Sequence, residues 1–161
     1  MTLIASPSLL VAGIGEMVLS SDADAQLVAY GLGSCIALAV WDPRVRVGGL
    51  AHFMLPSGIS TDGSPVKFID TGLDTFLRAL EARGALMGRS ILKSAGAAAM
   101  LTVGGGLAIG KRNEAAMQAA LSNRGLKLSA TAIGGNAGRT VQLGVADGRF
   151  LIKSLSSVTE L

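Results

Sequence analysis

Cys35-Ile-Ala-Leu-Ala-Val-Trp-Asp-Pro-Arg-Val-Arg-Val-Gly-Gly-Leu-Ala-His-Phe-Met-Leu55 decides the fold of this chain. Two runs of strand length, apolar or alternating, flank Asp42-Pro43, and Asp-Pro is turn chemistry. They predict an antiparallel hairpin with strands over Cys35–Trp41 and Val45–Leu55. The hairpin folds back onto each other the chain's one cysteine, Cys35, and its one histidine, His52.

Outward from the hairpin the same reading gives strands over Leu9–Ile14 and Gln26–Tyr30 and strand-like residues over Ile91–Val103. Leu126–Ile133 alternates, Val141, Leu143 and Val145 share one face, and Asp147-Gly148 signals a tight hairpin into Arg149–Leu155. Leu73, Phe76, Leu77 and Leu80 recur at helical spacing, which predicts a helix over Asp70–Arg83, capped by Asp70 or Thr71 and stopped by Gly84. A second helix is predicted over Asn113–Arg124, with Asn113 as N-cap, Ala116, Met117, Ala120 and Leu121 inward, and Gly125 beyond its end. Mixed strands with two helices make an α+β layered domain, and residues 1–161 read as one domain without a linker.

A thiolate is a strong nucleophile, and imidazole takes and returns a proton near neutral pH. The pair therefore suggests cysteine-based acyl chemistry. On spacing alone the plainer reading leads: a lone cysteine before Ile36-Ala-Leu-Ala-Val40 is a core residue type, and His52 between Leu50 and Met54 reads as a satisfied strand histidine. Gly31 and Gly33 favour the first reading: they predict a tight turn before Cys35, where bare backbone presents N–H groups to an oxyanion.

Bulk composition removes other classes. One cysteine excludes an internal disulfide, and one histidine with it leaves no zinc cluster, so neither metal nor organic cofactor is expected. A reactive thiol suits a reducing cytoplasm. The formal net charge is +3, and eleven of the fourteen Lys and Arg lie from Arg78 to Lys153. They are not interleaved with aromatic residues, which are only 4% of the chain, so single-strand nucleic-acid stacking is not expected. Met1–Gly15 lacks a basic lead-in and contains Pro7, unlike a signal peptide. The uncharged stretch Ser94–Gly110 is short for a membrane span and is broken by Gly104-Gly105-Gly106. No membrane insertion is expected from either.

One motif competes. Gly105, four residues, then Gly110-Lys111 nearly reproduces a phosphate-binding loop, but Arg112 stands where a Ser or Thr must ligate magnesium, and Leu107 and Ile109 add bulk. A glycine turn entering a helix is the better reading.

Taken together, Gly31-Leu-Gly-Ser-Cys35, Asp42-Pro43, Gly48-Gly49, Ala51-His-Phe-Met-Leu-Pro56, Ile109-Gly-Lys-Arg-Asn113 and Gly134-Gly-Asn136 with Arg139 resemble the CheD family of chemoreceptor glutamine deamidases. The resemblance runs from about Val11 to Lys153. It implies a layered α/β sandwich similar to the deamidating domain of cytotoxic necrotizing toxins, and a cytoplasmic hydrolase that converts glutamines on receptor helices to glutamate. A CheC phosphatase is the implied regulatory partner. By the same matching Cys35 is the nucleophile and His52 the base. The chemistry of those residues then gives the expectation that backbone N–H groups of Ser34 and Cys35 hold the oxyanion, and that an ester at the same position, presenting the same carbonyl, is hydrolysed as a side reaction.

The chain departs from the family at Ala29, where a Thr six residues before the cysteine is usual. The expectation is that the Ala29 backbone carbonyl orients His52 in its place; the alternative is a binding module that has lost catalysis with the hydroxyl. Gly96-Ala97-Ala98 stands where Gly-Gly-Ala is typical, and Ala132 where an acid is common.

Overall fold

The computed structural model describes residues 6–100 and 106–161. Strands β1 (Ser8–Val11), β2 (Met17–Ser20), β3 (Ala25–Leu32), β4 (Ile36–Asp42) and β5 (Val47–Phe53) lead to helix α1 (Ile69–Glu81). Strand β6 (Ile91–Gly96), helix α2 (Gly106–Ser122), and strands β7 (Ala130–Ile133), β8 (Arg139–Gly144), β9 (Phe150–Lys153) and β10 (Val158–Glu160) follow. They build two five-stranded sheets, ordered β1-β3-β8-β9-β10 and β2-β5-β4-β6-β7. Only β1 with β3 and β6 with β7 pair in parallel among these strands, so the fold is the α+β, largely antiparallel sandwich the sequence predicts.

The hairpin at Asp42-Pro43 forms as expected, with Ile36 opposite Phe53, Ala37 opposite His52 and Asp42 opposite Val47. The alternation of β4 explains why it sits centrally. Ile36, Leu38 and Val40 pack with Leu73, Phe76 and Leu80 of α1 and with Met117 and Leu121 of α2, whereas Ala37 and Ala39 join the other cluster, between the sheets, with Leu27, Ala29, Val141 and Phe150. Large side chains meet the helices, and alanines let the second sheet close on the first. Each fully buried Leu, Ile or Phe contributes about 1.5–3 kcal/mol of transfer free energy, which is what holds the three layers.

The turn of this hairpin is locked by charge. Asp42 Oδ1 accepts from the backbone N–H of Arg44 at 2.9 Å, Oδ2 accepts from Leu86 N–H at 2.8 Å, and Arg89 Nε reaches both oxygens at 2.9 Å. Desolvation pushes the Asp42 carboxyl up, but Arg89 and the amides outweigh it and bring the pKa down to about 2.

Several expectations are corrected. Neither Asp70 nor Thr71 caps α1: the helix starts one residue earlier, with Phe68 at the N-cap and no side-chain cap, while Asp70 Oδ1 instead accepts from Gly58 N–H. Asn113 is not an N-cap, since α2 begins at Gly106 and carries Asn113 in its interior. The strand predicted to Val103 stops at Gly96, where Gly96 and Ala97 adopt φ of 111° and 53°; its last three positions, 101–103, lie outside the described residues, as does Gly105 of the phosphate-loop look-alike. A Cβ on Gly110 would stand 2.7 Å from the carbonyl oxygens of both Ala97 and Ala98, so that glycine serves a close helix-to-loop approach. No helix of the described residues is long and apolar enough to cross a membrane.

Candidate active site

Cys35 stands immediately before β4, on the edge of the inter-sheet cluster, and His52 lies in β5 opposite Ala37. Residues two apart on a strand share a face, so Cys35, continuing the line of Ala37 and Ala39, lies diagonally across from His52 on the inter-sheet side. Cys35 is partly exposed, whereas His52 is 2% exposed. The hairpin thus brings the predicted pair to one end of one face.

His52 is gripped by the segment joining β1 to β2. Its backbone N–H donates to Glu16 O at 3.0 Å, its carbonyl accepts from Gly15 N–H at 2.8 Å, and its ring Nδ1 meets the carbonyl of Ala12 at 3.1 Å. A carbonyl only accepts, so Nδ1 carries the proton and Nε2 presents a lone pair. Nε2 is buried and makes no hydrogen bond among the described residues, Cys35 included. Catalytic hydrogen bonds commonly tighten only when substrate is bound.

The carbonyl that orients His52 is therefore that of Ala12, not that of Ala29. Ala29 is fully buried in β3, paired with Val141 of β8, and its side chain belongs to the inter-sheet cluster. The Ala29 carbonyl makes no hydrogen bond to His52 among the described residues. Ala12 lies just beyond β1. Its N–H donates to Val28 O of β3 at 2.8 Å, and its carbonyl is free to cross to His52.

The Cys35 loop has its own supports. The Cys35 carbonyl accepts from Ala97 N–H at 2.7 Å, and the Gly33 carbonyl from Ala98 N–H at 2.9 Å. Gly96 passes so close that a Cβ there would collide with the Cys35 carbonyl oxygen. Gly31, expected in a tight turn, instead sits at φ 63° in an irregularity of β3 between Ala29 and Leu32, leaving Gly33-Ser34 as the turn. The N–H groups of Ser34 and Cys35 donate to no backbone carbonyl among the described residues. Further round the site, Gly134 N–H donates to Gly96 O at 2.9 Å, and Arg139 bonds the carbonyls of Ala132 and Gly134, which assigns the Gly134-Gly-Asn136 block to loop support.

Asn113, missed as a site residue, is fully buried, and its Nδ2 donates to the carbonyl of Ser34 at 2.9 Å and of Met54 at 3.0 Å. Its sequence signal was its place in the Ile109–Asn113 block.

The two reactive groups are both held neutral. Burial pushes the Cys35 thiol up, only partly countered by its own backbone N–H. Burial pushes His52 down, opposed by the Ala12 carbonyl and the Glu16 charge. A neutral thiol beside a neutral imidazole with a free lone pair suits proton transfer coupled to attack rather than a standing ion pair. No group of three or more His, Cys, Asp or Glu placed to hold a metal occurs among the described residues.

The family described as CheD chemotactic sensory transduction matches residues 54–154. The chain is 42% identical over 149 residues to a probable chemoreceptor glutamine deamidase CheD of Symbiobacterium thermophilum, covering 89% of this chain and 90% of that one. It is 40% identical to a probable chemoreceptor glutamine deamidase CheD 2 of Anaeromyxobacter dehalogenans, covering 96% and 99%. To the chemoreceptor glutamine deamidase CheD of Thermotoga maritima it is 38% identical, covering 94% and 95%.

Proposed function

This chain belongs to the CheD family, and from that premise we propose that it is a protein-glutamine deamidase acting on chemoreceptors, with Cys35 as nucleophile and His52 as base. The observation that carries the assignment of roles is the His52 ring: Nδ1 tied to the Ala12 carbonyl and Nε2 buried without a partner among the described residues.

His52 Nε2 takes the Cys35 thiol proton as sulfur attacks the side-chain carbonyl carbon of a glutamine. The N–H groups of Ser34 and Cys35 hold the oxyanion. Imidazolium returns the proton to the departing nitrogen, ammonia leaves, and a thioester remains. His52 then takes a proton from water, whose oxygen attacks the thioester. The glutamate carboxyl forms, and sulfur leaves to recover its proton. An ester at the same position offers the same carbonyl, so methyl ester hydrolysis is a side reaction of the same machinery. Receptor helices are the protein partner, with a CheC-type phosphatase as regulator.

A second reading is motivated by Ala29, whose side chain offers no hydroxyl to the site. In it the chain docks on receptors or on a CheC-type phosphatase without turnover. Mass spectrometry of a receptor cytoplasmic fragment incubated with the protein, with Cys35→Ala alongside, separates the two. Glutamine-to-glutamate conversion by the wild type alone supports the enzyme; binding without conversion supports the module.

A further inference from the structure

The ladder between β4 and β5 ends at Ile36 and Phe53. One residue further the chains part: the Cys35 carbonyl turns to Ala97 N–H on the β6 side, and Met54 N–H donates to Lys67 O at 2.9 Å on the other. Asn113 enters this gap from α2, its one Nδ2 donating to the carbonyls of Ser34 and Met54. A primary amide has two N–H donors on one nitrogen, which allows a single side chain to hold carbonyls from two separate chain segments. Asn is a mediocre residue for a helix interior, and here its Oδ1 is buried with no partner among the described residues. Packing alone does not favour such a choice.

The peptide it holds is the one preceding the nucleophile. In a planar trans peptide the C=O and the following N–H point in opposite directions. Drawing the Ser34 carbonyl toward α2 therefore turns the Cys35 N–H away from α2, and a hydrogen bond to that carbonyl polarises the peptide and strengthens its N–H as a donor. We propose that Asn113 is a positioning residue for the oxyanion site: by holding the Ser34 carbonyl against the Met54 carbonyl it aims the Cys35 N–H at the developing oxyanion. This rests on the deamidase reading for its natural substrate, but the acyl chemistry at Cys35 can be tested without a receptor.

The test sets two reactions of Cys35 against each other in the full-length protein. Acylation by p-nitrophenyl acetate passes through a tetrahedral oxyanion, whereas alkylation by iodoacetamide displaces iodide and forms none. Asn113→Ala is expected to slow p-nitrophenolate release about 10- to 100-fold while alkylation stays within about threefold. On receptor fragment, kcat falls by a similar factor with KM nearly unchanged. Equal losses in acylation and alkylation would reduce Asn113 to a loop strut, and unchanged acylation in a folded variant would overturn the proposal outright.

Asn113→Asp, nearly isosteric, carries the test should the alanine variant not fold. Protonated, its carboxyl donates to one carbonyl, so acylation relative to wild type rises as pH falls; a flat ratio overturns the proposal. Wild type that is acylated at Cys35 yet converts no receptor glutamine would sink the receptor-deamidase reading and leave the role of Asn113 standing.

Discussion

His52 and Ala12 are forty positions apart in the chain, and the ring Nδ1 of one meets the carbonyl oxygen of the other at 3.1 Å. Because the same Ala12 peptide segment is anchored through its N–H to Val28 of the facing sheet, the imidazole is oriented by a bridge from one sheet to the other. The chemistry and its pH dependence follow from that bridge.

With His52 as the proposed base, the acid limb of kcat/KM is expected to report its titration. Burial lowers its pKa below 6.5, so the neutral base persists to a lower pH than a free imidazole, and the acid limb lies below 6.5. Glu16 opposes that shift. Glu16→Gln keeps an acceptor for the Gly13 N–H but removes the charge, and moves the limb further down. A pH–rate series on the two proteins checks this; a limb that stays in place would remove Glu16 from the electrostatics of the site.

Acid is expected to cost stability through two groups, His52 and Asp42. The folded His52 pKa is below its unfolded value of 6.5, so its contribution is full above 6.5 and is lost as pH falls through the folded pKa. Asp42 falls from 3.8 to about 2, so its contribution is full above 3.8 and is lost as pH drops to about 2. That shift is worth on the order of 2 kcal/mol. Denaturant melts at stepped pH should show the Asp42 window vanish in Asp42→Asn, with a loss of about 3 kcal/mol at neutral pH because an NH2 replaces the oxygen that accepts from the Leu86 N–H and Arg89 loses its charged partner.

Ala97 and Gly96 are expected to respond in opposite directions. Ala97 holds φ 53°, a left-handed conformation that costs an L-residue about 1–2 kcal/mol. Ala97→Gly removes that strain against a smaller entropic loss, raising stability by roughly 0.5 kcal/mol with the bond to the Cys35 carbonyl retained. Gly96→Ala places a methyl on that carbonyl at φ 111° and should cost about 3 kcal/mol or more, with Cys35 displaced. Thermal melts paired with thiol titration read both.

Ala29→Thr tests whether a hydroxyl is needed. Ala29 is fully buried between the sheets, and His52 already has its acceptor in Ala12. The substitution is expected to lower stability by about 1–2 kcal/mol by burying a hydroxyl, and to leave deamidation within a few-fold. A tenfold or larger gain in turnover would show that the Ala12 carbonyl is insufficient and would favour the binding-module reading.

The hairpin was readable because Asp42-Pro43 and two apolar runs leave little choice of register, and register alone carries Cys35 and His52 to one face. The stripe of α1 was readable for the same reason of periodicity. The start of α2 was not. Glycines at 106 and 110 argue against helix by propensity, and tertiary packing of Gly110 on the Ala97-Ala98 carbonyls overrides them, so Asn113 looked like a cap when it is an interior residue. Strands β2 and β10 were not distinguished from loops, being four and three residues long. Ala12 was invisible in principle: every residue has a carbonyl, and nothing in the side chain marks the one that a distant ring will find.

The site draws on every layer: the Ala12 carbonyl from the chain leaving the first sheet, Cys35 and His52 from the second, Asn113 from the helices. If Cys35 is the nucleophile, such a centre would act as a coincidence detector for folding. A nascent or partly opened chain that has docked two layers but not the third would carry an ordinary, poorly activated thiol, and indiscriminate acyl chemistry would be withheld until assembly is complete.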